Sequence, residues 1–148
     1  MKASVLHRVF AKAIDLTLVW LFAWALPLPY PVGPLIGFVY SLTADSLKFG
    51  SGQSQSVGKR LLKLQTVSLR RGSDGLREPA NLKESIYRNA PVGVATFFAL
   101  IPFWGWLIMI LIGVPLMVME IYLMLSVEAG HRLGDVMGDT EVISTLAA

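Results

Sequence analysis

The stretch LIMILIGVPLMVMEIYLMLSV, residues 107–127, carries one charged side chain, Glu120, in twenty-one positions. A helix of about 20 apolar residues matches the ~30 Å hydrocarbon core of a bilayer, so this run predicts a membrane span. Immediately before it, Pro102, Trp104, Gly105 and Trp106 form an uncharged turn whose aromatics suit a membrane interface. Further upstream Asn81, two residues after Pro79, can cap a helix beginning near Leu82 that turns wholly apolar after Pro91 and runs to about Leu100. On the other side of the stretch, the tail is polar at first and ends in Thr140-Glu141-Val142-Ile143-Ser144-Thr145.

The N-terminal part has the same grain. An apolar segment from about Val9 to Leu28 follows Lys2, His7 and Arg8, but Asp15 interrupts it and Pro27, Pro29, Pro31 and Pro34 stand where a signal peptide would present a small-residue cleavage site. It therefore reads as an uncleaved span followed by a tight turn, since each proline removes a donor and restricts its predecessor. A second apolar segment reaches Phe49, and Gly50, Ser51 and Gly52 end it. The chain of 148 residues is 54% hydrophobic and 16% charged, with a mean hydropathy of +0.59, which is oily for a domain in water. The expected fold is an all-α membrane protein, one domain over 1–148, with four transmembrane helices at about 9–28, 35–49, 86–101 and 106–127. A cytoplasmic loop, 50–85, and a tail, 128–148, form a small cap. Three spans remain open as an alternative, with Pro102 or Pro115 as a kink in one long helix. Within the cap, Leu64 to Leu69 alternates apolar and polar, the period of a strand, and Thr140 to Thr145 is its expected partner. Arg70 to Gly75 reads as the turn that follows.

Charge sets the expected orientation. Nine of the thirteen Lys and Arg lie between Lys48 and Arg88 and three more within the first twelve residues, while both outer turns carry none. Short basic segments stay in the cytoplasm, so both termini and the central loop are expected on the inner side of a cytoplasmic membrane. Asp15, Asp45 and Glu120 then occupy the cytoplasmic half of the bilayer at similar depth, with Arg8, Lys12, Lys48 and Arg88 near the rim. Arg8 and Asp15 share a helix face but stand ~10 Å apart along the axis, so each needs partners from other helices. A single charge at the bilayer centre costs ~2.5 to 3.5 kcal/mol. Either an ion-pair network including Arg8 and Arg88 offsets that cost and fixes helix packing, with Lys12 and Lys48 reaching to the interface, or the carboxylates form a protonatable or cation-holding cluster.

Arg8 and Asp15, the run Gln55-Ser56-Val57-Gly58-Lys59-Arg60-Leu61-Leu62-Lys63-Leu64, Arg88-Asn89 and His131-Arg132-Leu133-Gly134-Asp135 together resemble the RDD family of bacterial integral membrane proteins. The resemblance covers most of the chain, with departures at Ser54 and His131. It implies a multi-span helical membrane protein named for one arginine and two aspartates. Arg8 and Asp15 match the first two, and the second aspartate is either Asp45 or Asp135. It also marks Gly58, Lys59, Arg60, Arg132, Gly134 and Asp135 as motif residues on the cytoplasmic side. Some members of the family are linked to sodium/proton exchange.

Other chemistries lack their residues. A phosphate loop around Gly58-Lys59 would need a glycine at Gln53 and a hydroxyl residue at Arg60. Gly58 reads instead as a turn where the chain leaves the membrane, with Lys59, Arg60 and Lys63 meeting anionic headgroups at ~1 kcal/mol each. His7 and His131 stand apart without metal-ligand spacing, no nucleophile motif surrounds any Ser or Thr, and cysteine is absent. Neither an enzyme, a cofactor nor a nucleic-acid partner is expected. Gly93, Ala95, Ala99, Gly105 and Gly113 permit close helix contacts within the chain or between copies. The reading is a membrane-embedded structural or interaction module whose Arg/Asp/Glu network is buried. The other is a cation/proton exchanger, which at this size needs a homo-oligomer to build a pathway.

Overall fold

The structure, a computed structural model, describes residues 3–48, 54–72, 75–126 and 132–145. The expected helix stop at Gly50 to Gly52, Ser73 and Asp74 of the turn, the start of the tail at Glu128 and the motif residue His131 lie outside them.

Helix α1, Val5–Trp20, is capped by Ser4, whose hydroxyl accepts from the His7 amide, and continues through a wider π turn, Leu21–Ala25. After the proline turn, α2, Val32–Thr43, comes back and ends in a 3₁₀ turn, Ala44–Ser46. A short α3, Val57–Leu61, packs on α1 and leads into strand β1, Leu64–Arg71, then β2, Arg77–Pro79. Helix α4, Leu82–Phe97, is followed by a 3₁₀ turn to Leu100 and by α5, Gly105–Ser126. The chain closes with α6, Leu133–Met137, and β3, Thr140–Ser144.

This corrects the expected fold class. The architecture is mixed α/β: six α-helices and an antiparallel sheet of order β2-β1-β3 among the described residues, not a four-span all-α fold. Of the described helices only α5, 22 residues with a mean hydropathy of 2.4, is long and apolar enough to cross a membrane. The reason lies in how charge is spent along the other three. Arg8, Lys12 and Asp15 occupy the first three turns of α1; α2 has 12 residues; and Lys83, Glu84 and Arg88 fill the first half of the 16-residue α4. In α1 and α4 apolar composition is concentrated at one end, and α2 is apolar throughout but too short, so none of the three offers a full ~20-residue span.

The strand pairing follows the alternation in the sequence. Leu64 pairs with Ser144, Thr66 with Val142 and Ser68 with Thr140, so the C-terminal segment is an integral strand beside β1. Leu64 and Val142 bury against Ala11 of α1, and the Ala3 amide donates to the Val142 carbonyl at 3.2 Å, drawing the N-terminus onto the same sheet. Helix α4 begins at a full capping box: Asn81 Oδ1 accepts from the Glu84 amide and Glu84 Oε2 accepts from the Asn81 amide, both at 2.9 Å. The Ser68 hydroxyl donates to Glu84 Oε1 at 2.7 Å, fastening the cap to the sheet. Helix α4 then runs away from the sheet and α5 runs back beside it, a Cβ on Gly113 meeting that of Ala95 at 3.3 Å, the close contact its small residues permit.

Candidate functional site

Seven charged side chains from six segments converge where the helices meet the sheet. Arg88, on α4, is 1% exposed and lies between two carboxylates: its Nη2 is 2.8 Å from Asp135 Oδ1, and its Nε lies 2.9 Å from Asp45 Oδ2, off the angle of a hydrogen bond. Its Nη1 donates to the Thr140 hydroxyl at 2.9 Å, joining α4 to β3. Asp135, at the start of α6, also takes Arg8 from α1 and, at 3.2 Å, Nε of Arg132. Asp45, in the turn after α2, pairs with Lys59 of α3 and accepts from the Asn89 amide nitrogen at 3.2 Å. Arg132 reaches Glu120 of α5 at 3.5 Å.

Burial alone would protonate these acids, and the opposite charges prevent it. Burial raises Asp45, but Lys59, Arg88 and Arg132 outweigh it and hold its carboxyl far below the usual range. Asp135 is likewise raised by burial and held well below the ordinary value by Arg88, Arg132 and Arg8. Burial works against the Arg132 guanidinium, yet Glu120, Asp135 and Asp45 lift it above its ordinary value. The network keeps its charges because each is solvated by the others.

Asp15 forms a separate node. Its Oδ1 accepts from Tyr40 Oη at 2.8 Å and from the Gly58 amide at 2.9 Å, and its Oδ2 from the Ser56 hydroxyl at 2.6 Å. These bonds draw the N-terminus of α3 against α1, and a Cβ on Gly58 would fall far inside contact distance of the Ala11 carbonyl. Gly134 repeats the arrangement, since a Cβ there would collide with the Arg88 carbonyl. Both glycines are needed for backbone approach at the joints of the network.

Of the residues singled out by sequence, Arg8, Asp45, Arg88 and Glu120 meet in this network together with Lys59, Arg132 and Asp135. Asp15 stays apart from the ion pairs, and Arg60 is exposed on α3. Lys59 is not turned toward headgroups: it is 7% exposed and faces Asp45 and the Thr66 hydroxyl, because Asp15 fixes α3 with that side inward. Lys12 bonds Asn89 Oδ1 at 3.3 Å rather than reaching only for the rim. Tyr40 carried no sequence signal; Ser56 and Asn89 stood only within the runs that carry the resemblance, and Thr140 only as the start of an expected strand, with no role attached to any of the three. Glycine adjacent to charge, as at Gly58-Lys59 and Gly134-Asp135, is the signal that could have placed both motifs at buried joints.

A cavity of about 320 Å³ opens above the network, lined by Arg8, Lys12, Asp15, Asp45, Arg88 and Glu120 among others. A second, of about 240 Å³, adjoins it between α1, α2, α4 and α5 and is walled by apolar residues such as Trp20, Phe38, Ala99 and Leu116. Among the described residues there is no cluster of three or more His, Cys, Asp and Glu suited to a metal ion. No protein-family model, curated protein or solved structure matches the chain.

Proposed function

We propose that this protein is a membrane-embedded structural or interaction module of the kind the RDD resemblance implies, residing in the cytoplasmic membrane with its sheet end toward the cytoplasm. The observation that carries this reading is the ion-pair network, which ties α1, the Asp45 turn, α3, α4, α5 and α6 at one level. Side chains so consumed by one another act as a clamp, and removing one partner of a buried pair leaves the other uncompensated. The apolar side supports bilayer residence. Helix α5 has the length and composition to cross, and Phe103, Trp104 and Leu111 are 89%, 68% and 72% exposed, a surface far too oily for water. The partners of this reading are the lipids around that surface, anionic headgroups at the exposed basic residues such as Arg60 and Lys63, and a second copy of the chain.

One observation favours the exchange reading as the second: Glu120 Oε1 is buried with no hydrogen-bond partner, in a helix that faces the cavity. Cation/proton exchange in everted vesicles separates the two. The module reading expects no exchange from the intact chain and reduced abundance for Asp45→Asn. Exchange that is lost in Asp15→Asn, Asp45→Asn or Glu120→Gln at matched abundance would replace it with the transporter.

A further inference from the structure

The two cavities share a border, and its residues are unusual. Lys12, Leu16, Val19, Val92, Met117 and Glu120 line both, so the wall changes from ionic to apolar across one layer of side chains. At that border stand two polar groups whose bonding is incomplete. Lys12 makes one hydrogen bond, to neutral Asn89, and has no carboxylate within 4.0 Å among the described residues. Glu120 is 5% exposed; its Oε2 meets Arg132 and its Oε1 has no partner. One group asks for an anionic oxygen and the other for an N–H or O–H donor. Buried polar atoms are nearly always satisfied, and an orphan beside a cavity points to a ligand that completes it.

Charge around the lower chamber leans the same way. Five cations, Arg8, Lys12, Lys59, Arg88 and Arg132, line it; three carboxylates, Asp15, Asp45 and Glu120, share the lining and Asp135 lies behind the arginines, which leaves Lys12 as the lining cation with no ion pair among the described residues. The upper chamber offers an apolar shaft whose walls include Trp20, Trp24, Pro34, Phe38, Ala95 and Met109. A ligand that fits both is an amphiphile with an anion and a donor in its head and hydrocarbon in its tail.

We propose that the adjoining chambers take the headgroup and part of one acyl chain of a phospholipid of the surrounding bilayer, its phosphate against Lys12, a headgroup hydroxyl or ammonium donating to Glu120 once the buried Oε1 turns toward the chamber, and the chain entering the apolar shaft while the rest of the lipid stays in the bilayer. This rests on the bilayer reading above, since the shaft lies among helices whose outer faces are apolar. Basic pockets among membrane helices on the cytoplasmic side are known to take phosphate headgroups. The donor distinguishes this site from mere attraction to phosphate. Phosphatidylglycerol offers hydroxyls and phosphatidylethanolamine an ammonium, whereas phosphatidylcholine carries the same phosphate with no N–H or O–H in its head.

The test is native mass spectrometry of the full chain purified in mild detergent, with equimolar phosphatidylglycerol, phosphatidylethanolamine and phosphatidylcholine of identical acyl chains. We expect one lipid retained per chain, with phosphatidylcholine about tenfold disfavoured, a difference of ~1.4 kcal/mol. Lys12→Gln should lower retention about tenfold, Lys12→Arg should keep it, and Lys83→Gln, at an exposed cation of α4, should leave it unchanged. Ala99→Leu, which fills the shaft while leaving the charges in place, should also expel the lipid and decides the matter should Lys12→Gln fail to fold. Folded wild type that retains no lipid, or retention alike for all three headgroups and unchanged in Ala99→Leu, overturns the site. Resistance of the membrane-bound chain to alkaline washing reports on the bilayer reading separately: a chain released by the wash yet retaining one lipid in detergent would sink that reading and leave the site standing.

Discussion

At the sheet end of the molecule the most completely buried side chains include Arg88, Asp45, Asp135, Thr66 and Thr140; at the far end Phe103, Trp104 and Leu111 are among the most exposed. A protein dissolved in water sorts its residues the other way round. The two ends solve different problems. The sheet end excludes water from its charges and must therefore solvate them with one another, so its stability depends on fixed partners and angles. The far end leaves its apolar side chains outward, so its stability depends on what surrounds it. Damage should accordingly be sharp and local at one end, and mild but medium-dependent at the other.

Arg88→Met is the hardest blow to that comparison. It strips a shared partner from Asp45 and Asp135 while keeping bulk, and we expect a loss of ~3–5 kcal/mol, read as thermal unfolding in detergent. A variant as stable as wild type would mean that the buried charges are ornamental. Acid should attack the same joint. Because Asp45 and Asp135 hold their protons more weakly folded than unfolded, their stabilisation is complete above the ordinary carboxylate value of 3.8 and drains away as pH falls below it. Buried Lys59, lowered to about 7, changes charge near neutrality, so unfolding monitored from about pH 6 downward should be flat to about pH 4 and fall beneath it, and a steady rise in stability on acidification would contradict the pairing. Gly58→Ala and Gly134→Ala should each lose ~1–3 kcal/mol, since a methyl group forces apart α3 from α1, or α6 from α4. Asn81→Ala removes the cap at the start of α4 for ~1 kcal/mol in the same unfolding experiment. Smallest of all, Leu111→Ala on the exposed flank of α5 should shift stability in detergent or lipid by no more than about 0.5 kcal/mol; a larger loss would reveal a protein partner on that face.

What was legible in the sequence was local. Asn81 with Glu84 three residues on is a capping pair, and the alternation of Leu64 to Leu69 set against Thr140 to Thr145 gave two strands that pair antiparallel, Leu64 opposite Ser144. The polar composition of Gly50 to Asn89 marked the segment that leaves the helices, although it also hid that Lys59 turns inward. The helix count failed because apolar content was read as span length. In α1 and α4 the first turns belong to the ion-pair network, which leaves too few apolar residues for a crossing by that measure. The pairing itself was invisible because its partners are distant: Asp45 meets Lys59 through a turn and a short helix, and Arg88 meets Asp135 from the other side of α5. Nothing in periodicity specifies such contacts. Even so, the expectation that Arg8 and Asp15, on one helix face, must each find a partner elsewhere matches their separate attachments, Arg8 to Asp135 and Asp15 to Tyr40, Ser56 and Gly58.

The grip of Arg8 on Asp135 joins residues 127 positions apart, and that distance is also a delay. A ribosome adding about 5–20 residues per second delivers Asp135 on the order of ten seconds after Arg8. Strand β3, which carries the Thr140 hydroxyl to Arg88, arrives later still. The early helices are therefore born with their charges awaiting a counterpart, and the fold locks only once its closing segment has been translated. A message cut short before that point would release a polypeptide whose unpaired arginines leave it open to any protease that meets it.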